Sequence, residues 1–136
     1  MVIELPDRRF VLDTHSLRWY WYDPARLSPL ANAAFRAMER GQAEGLIPAL
    51  VIAEYNYLAG KLRDPMPVET ILSIVDRAPA WRLEPLTRRH LLASDQLTAI
   101  PEMHDRLIAA VALVQNATLL TRDPQLHGHP LVRAVW

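Results

Sequence analysis

Four acids stand where an acid is either useful or costly. The apolar run Phe10-Val11-Leu12 leads straight into Asp13, and Leu119-Leu120-Thr121-Arg122 leads into Asp123. Glu54 lies inside the apolar stretch 49–59, and Asp105 immediately precedes another, 106–115. A carboxylate in apolar surroundings costs several kcal/mol unless a cation or hydrogen bonds compensate it. Brought together, the four would suit a hard divalent cation such as Mg²⁺ or Mn²⁺, which takes oxygen ligands and retains water. Such an ion can acidify a bound water and offset charge on a phosphate leaving group. Singly, each acid has a plainer account. Asp105 would serve as a helix N-cap, Asp123-Pro124 as a turn, and Asp13 as the cap of the helix behind it. Glu54 could pair with Lys61 or an arginine, as structural ion pairs also occupy such places.

The neighbouring histidines weigh less. His15 and His104 each adjoin one of the acids, but hard cations prefer oxygen, so a structural role is expected for both. His127 and His129 flank Gly128 in an apparent surface loop and read as solvated.

These acids need elements to carry them. Residues 10–12 predict a buried strand, and 14–22, rich in Trp and Tyr, a short helix ending before Pro24 with Thr14 or Ser16 as its cap. Its aromatics could stack on bases, but packing in the core or at a dimer contact is the stronger expectation. Ser28-Pro29 opens a helix that Gly41 stops, its inward stripe being Leu30, Ala34, Phe35, Ala37 and Met38. Residues 45–47 predict a second strand. The stretch 49–59 predicts a helix stopped by Gly60, apolar almost all round and so buried on most sides. After a turn at 64–67, residues 68–77 form an amphipathic helix, 81–86 an edge strand, and 87–97 a helix centred on Leu91, Leu92 and Ser94. The apolar run 106–115 is a helix closed by Asn116, 117–121 is a strand, and 131–136 adds a last edge strand. Strands separated by helices imply a mainly parallel sheet with helices on both faces. Its carboxyl edge, where such sheets bind ligands, would hold both Asp13 and Asp123.

Composition sets the outer limits. The 136 residues fit one domain, 1–136, able to bury a single core, and 51% of them are hydrophobic. No apolar run approaches the roughly 20 residues of a membrane span, and Glu4, Asp7, Arg8 and Arg9 do not resemble a signal peptide. A cytoplasmic protein is therefore expected. With no cysteine, thiol catalysis and zinc–thiolate sites are excluded. Four glycines in no cluster exclude the phosphate-cradling loops of nucleotide-binding proteins. The formal net charge is zero. Neutralising four acids with metal would leave a basic remainder, compatible with a polyanionic partner. Fourteen of the fifteen basic residues are arginine, the better bidentate partner for phosphate, but genome base composition produces the same bias.

Four stretches together resemble the PIN-domain family, in particular the VapC-type toxins of bacterial toxin–antitoxin pairs: 11–17 (Val-Leu-Asp-Thr-His-Ser-Leu), 47–54 (Ile47-Pro48-Ala49 through Glu54), 103–110 (Met-His-Asp-Arg-Leu-Ile-Ala-Ala) and 119–123 (Leu-Leu-Thr-Arg-Asp). Each is weak alone; their order and spacing, with the closing Trp136, span nearly the whole chain. The resemblance implies a three-layer α/β/α fold around a sheet of about five strands and Mg²⁺- or Mn²⁺-dependent RNA cleavage. It also implies a VapB-type antitoxin partner and a homodimer. It carries the catalytic and metal-binding roles to Asp13, Glu54, Asp105 and Asp123, with Thr14 and Thr121 as auxiliary polar groups. Asp13 and Asp105 are the expected direct ligands, while for Glu54 and Asp123 direct binding, binding through water and deprotonation of the nucleophile stay open. Leu126 stands where some relatives carry a further acid, so that position offers no ligand. Arg106 and Arg122 adjoin site acids and could hold RNA phosphate or make structural ion pairs, with neither favoured.

Three rivals remain at this level. A housekeeping PIN nuclease without an antitoxin is indistinguishable by sequence. An aspartyl phosphatase with Asp13 as nucleophile usually needs a second acid two residues on, where His15 stands. An inactive binding protein of the same fold is disfavoured by the presence of all four acids.

Overall fold

The computed structural model describes residues 2–61 and 66–136. Five parallel strands form one sheet in the order β3-β2-β1-β4-β5. They are β1 (Arg9–Leu12), β2 (Glu44–Pro48), β3 (Trp81–Glu84), β4 (Thr118–Leu120) and β5 (Ala134–Val135). Around them lie α1 (Thr14–Tyr22), α2 (Pro29–Glu39), α3 (Ala49–Lys61), α4 (Val68–Arg77), α5 (Arg88–Ser94) and α6 (Met103–Gln115). The result is a three-layer α/β/α arrangement with β1 at its centre. Phe10, Val11, Leu12, Leu46, Ile47, Leu119 and Leu120 are all shut off from solvent, as expected for inner parallel strands covered on both faces. Among the described residues, no helix is long and apolar enough to cross a membrane.

Local chemistry explains most boundaries. Ser28 caps α2 by accepting the Ala31 N–H at 3.0 Å, and Gly41 ends that helix at φ +72°. Asn116 closes α6 in the left-handed region, φ 51°. At Gly45 the Trp81 ring crosses so close to β2 that a Cβ would meet Cδ1 at 2.7 Å, which requires glycine there.

The structure also corrects the sequence expectations. Helix α3 continues through Gly60 to Lys61, and it is not buried on most sides: Ala53 and Tyr57 face solvent, Tyr57 at 65% exposure. Alanine and tyrosine count as apolar in a sequence pattern but are tolerated on a surface. The helix expected over 87–97 breaks after Ser94 into a 3₁₀ turn, Asp95–Leu97. It buries His90, Ala93 and Leu97 and leaves Leu91 and Leu92 exposed. Ala31, with Leu30 only half-buried, takes part in the inner stripe of α2. The turn expected at 64–67 lies partly outside the described residues. The aromatic segment packs mostly inward: Tyr20 stacks on Phe35 at 4.2 Å, and Trp21 meets Tyr55 and Trp81.

Candidate active site

The strand register determines where the first acid stands. Leu12 of β1 is level with Leu120 of β4, so the next residues, Asp13 and Thr121, face one another as the chains leave the sheet. Asp13 is buried and held at both oxygens. Its Oδ1 accepts the Ser16 N–H at 2.8 Å, capping α1, and its Oδ2 accepts the Thr121 hydroxyl at 2.5 Å. Thr121 Oγ1 in turn accepts the Asp123 N–H at 3.1 Å. The same carboxylate thus caps α1, as its plain account expected, and is held by the end of β4. The cap is Asp13 itself, not Thr14 or Ser16, because its extended backbone and short acid side chain reach back to the first turn.

A pocket of about 520 Å³ opens at this edge, lined by Asp13, Thr14, His15, Trp19, Glu54, Glu102, Asp105, Arg122 and Asp123 with Ile108 and Pro124. All four acids of the sequence reading enter it, from β1, α3, α6 and the segment after β4. Thr14 lines it and Thr121 stands directly behind Asp13. Arg122 is at its mouth. Arg106 is not among its lining residues: its guanidinium donates to the carbonyls of Ile100, at 2.8 and 3.0 Å, and Thr98. His15 lines the pocket, and His104, which is not among its lining residues, has Nδ1 3.3 Å from Glu102. His127 Nε2 instead meets the Thr121 carbonyl at 2.7 Å, and His129 receives the Leu131 N–H, so these two share no site.

Glu102 was missed by sequence reasoning. It is the N-cap of α6, accepting the Asp105 N–H at 2.8 Å, and that places Asp105 in the first turn of the helix and not at its cap. Glutamate is outside the usual N-cap set of Ser, Thr, Asp and Asn, so a cap rule passes over it. The available signal was the three-residue spacing of Glu102 and Asp105 just after Pro101.

The pocket's acids crowd one another. Burial pushes the Asp105 carboxyl up, and the charges of Asp123 and Glu102 and a hydrogen bond with Asp123 push it further, to about 7. Burial also raises Glu54, with Glu102 and Asp13 adding to it and His104 and His15 opposing. Glu102 moves the other way: its burial is outweighed by the backbone N–H groups of Asp105 and His104. Glu54 makes no ion pair with Lys61, whose ammonium lies over Tyr57 at 4.6 Å. Its Oε1 is buried with no hydrogen-bond partner among the described residues, as is Thr14 Oγ1. Among the described residues, no three acidic or imidazole side chains form a finished cation cage. The donors fit a hard divalent cation all the same. They are oxygens, several are buried, and two orphaned oxygens lack the partner that a buried polar group normally finds.

Comparison with known proteins agrees with this architecture. The PIN domain family model matches residues 10–129. Among solved structures, a chain of the VapBC2 complex from Rickettsia felis bound to a DNA fragment from its promoter superposes with a TM-score of 0.70. It is 18% identical, over 94% of this chain and 98% of that one. A DNA-bound VapBC chain from Salmonella typhimurium gives 0.70 at 14% identity, covering 95% and 98%. A toxin–antitoxin complex from Klebsiella pneumoniae gives 0.63 at 19%, covering 93% and 95%. At such identities the likeness is one of fold. No curated protein matches. With the family model covering four of the five strands, the pocket and all four predicted acids, the chain belongs to the PIN domain family.

Proposed function

We propose that this protein is a divalent-metal-dependent endoribonuclease and the toxin of a VapBC-type toxin–antitoxin pair. The observation that carries the enzymatic reading is the crowded acidity of the pocket: five carboxylates line it, and two of them, Glu54 and Asp105, are raised by burial and by neighbouring acids. Acids kept together at such cost are characteristic of functional sites. The toxin reading is supported by the fold shared with chains of three toxin–antitoxin complexes.

Asp13, Glu54, Asp105 and Asp123 would hold Mg²⁺ or Mn²⁺. Bound there, the ion supplies an acidified water and a counter-charge for the phosphate. The chain's own residues prepare that site. Ser16 and Thr121 fix both oxygens of Asp13, so its carboxylate does not have to be ordered when a ligand arrives. The chain from the Asp123 N–H through the Thr121 hydroxyl to Asp13 ties the ends of β1 and β4 together. Burial and the charges of Asp123 and Glu102 raise the Asp105 carboxyl, a cost that a bound cation would offset. Glu102 aligns Asp105 through its backbone.

A VapB-type antitoxin would need an apolar seat. The cleft of about 520 Å³ lined by Trp21, Leu27, Phe35, Ile74 and Trp81 is of a kind that accepts one face of an amphipathic segment. A homodimer and action in the cytoplasm, where RNA and antitoxin are both available, complete the reading. The decisive experiment is cleavage of a total RNA pool with and without Mn²⁺, comparing the wild type with Asp13→Asn and mapping the new ends. New ends that depend on metal and on Asp13 are the expected result; identical ends from both proteins would end the enzymatic reading. Growth arrest on expression, relieved by the product of an adjacent small reading frame, tests the toxin.

A further inference from the structure

The rim of the acidic pocket is as closely organised as its floor, with opposite charge. Trp19, one turn along α1 from His15, is half-buried in the pocket wall. Four side chains converge on its indole. The Arg122 guanidinium lies 5.8 Å from the ring centroid and that of Arg26 lies 5.7 Å away. The His15 ring is tilted against it at 5.6 Å, and Trp136 meets it edge-on at 5.7 Å. Arg26 is already paired with Asp23 at 3.0 Å. Arg122 is exposed and, among the described residues, makes no ion pair, although Asp123 follows it in the chain. A guanidinium that rests on an indole and leaves nearby carboxylates alone keeps its N–H fork for an outside anion.

We propose that Arg122, Trp19 and His15 form a nucleotide subsite beside the acids. Arg122, positioned by Trp19, grips the phosphate next to the scissile one, and the exposed His15 ring stacks on an unpaired base. The proposal rests on the ribonuclease reading and deepens it. A base paired inside an A-form helix cannot offer its face to a ring, so the substrate is single-stranded where it crosses this rim. The subsite also answers an electrostatic need. A strand of phosphates approaching five carboxylates is repelled, and Arg122 is the one basic side chain of Lys or Arg type among the pocket's lining residues.

The test uses a short labelled single-stranded RNA carrying a site mapped from the total RNA pool. Arg122→Gln is expected to raise KM roughly tenfold with a much smaller change in kcat, and to make the log–log salt dependence of RNA binding shallower by ~0.7, the loss of one phosphate contact. Trp19→Leu should raise KM in the same manner by releasing Arg122, and Trp19→Phe should recover most of the loss, because a phenyl face still supports a guanidinium. Trp19 also packs on the core; should Trp19→Leu not fold, Arg122→Gln and Trp19→Phe decide. Replacing the flanking nucleotide with an abasic one should weaken binding to the wild type roughly tenfold, but hardly at all to His15→Ala. An unchanged salt slope in Arg122→Gln, or an abasic effect of equal size in wild type and His15→Ala, overturns the subsite and leaves the nuclease reading standing. Wild-type protein that binds the RNA in Ca²⁺ with the expected slope, yet cleaves none in Mg²⁺ or Mn²⁺, overturns the nuclease reading and keeps the subsite.

Discussion

Two groups of carboxylates sit against the same sheet and are treated in opposite ways. Along β1, β2 and β3, Glu44 is paired with Arg9 at 3.3 Å and with Arg82 at 3.4 Å. Glu84, only 8% exposed, accepts from Arg82 Nε at 3.1 Å and from Gln115 Nε2 at 3.0 Å. Arg9 also donates to the Gln115 carbonyl at 2.8 Å, so the ladder ties three strands to the end of α6. In the pocket, by contrast, Glu54 keeps a buried oxygen without a partner among the described residues, and the charge that acts most strongly on Asp105 is that of another acid, Asp123. A buried acid with its own cations is explained by folding. One surrounded by further acids is not, and needs a ligand to account for it. Glu84 thus has an arginine of its own, whereas among the described residues no arginine pairs with Glu54.

The sharpest way to break the comparison is Asp13→Asn. Asparagine preserves the cap on α1, since its carbonyl oxygen can still accept the Ser16 N–H. The charge is gone. RNA cleavage at saturating Mn²⁺ should fall on the order of 10³-fold while the urea midpoint stays close to that of wild type. Full activity would remove Asp13 from the site.

Asp105→Asn should abolish cleavage too, and it should change stability in a direction that separates the two groups of acids. The folded-state value of about 7 lies above the ordinary 3.8, so between these two pH values the folded protein binds more protons than the unfolded one. Stability contributed by that proton is complete below pH 4 and is lost as pH rises through 7. The variant lacks this dependence. In EDTA at pH 8 it should be more stable than wild type by about 1–2 kcal/mol, the shift being discounted for partial exposure. The difference should vanish near pH 4. Urea titrations at both values provide the measurement, and a variant less stable at pH 8 would contradict the charge crowding.

The ladder should behave in the reverse sense. Glu84→Ala strands the Gln115 amide and one side of Arg82, and should cost about 1–2 kcal/mol. Its kcat and KM, measured below the melting range, should match wild type within experimental error. A large loss of kcat would mean that the ladder positions the pocket, and the division between the two groups would fail.

Much of this was legible before any coordinates. Apolar strands ending in acids at 13 and 123, and acids embedded at 54 and 105, were enough to anticipate a parallel sheet with the four acids around one pocket at its edge. The register of β1 and β4 was not legible, and it is what opposes Thr121 to Asp13. Glu102 escaped because glutamate seldom caps helices. The exposed faces of α3 and α5 escaped for a different reason: Ala53, Tyr57, Leu91 and Leu92 are apolar by type, and their outward direction is decided by which neighbours the tertiary fold supplies. Arg106 and Arg122 could not be told apart at all, since each simply adjoins an acid in sequence.

That last pair gives the smallest expected effect and the finest test. Arg106 adjoins Asp105 in sequence, but in space its guanidinium closes the loop before the helix by donating to the Ile100 and Thr98 carbonyls. Arg106→Gln removes a charged donor from carbonyls that water can reach in part, and should cost ~1 kcal/mol of stability. It should leave both KM and the salt dependence of RNA binding unaltered, unlike Arg122→Gln. Two arginines equally plausible by sequence would then be separated by what their N–H groups already hold. A shallower salt slope in Arg106→Gln would show instead that the loop gives up its guanidinium to the phosphate backbone, and that a hydrogen bond to a carbonyl is too weak a claim on an arginine to predict its role.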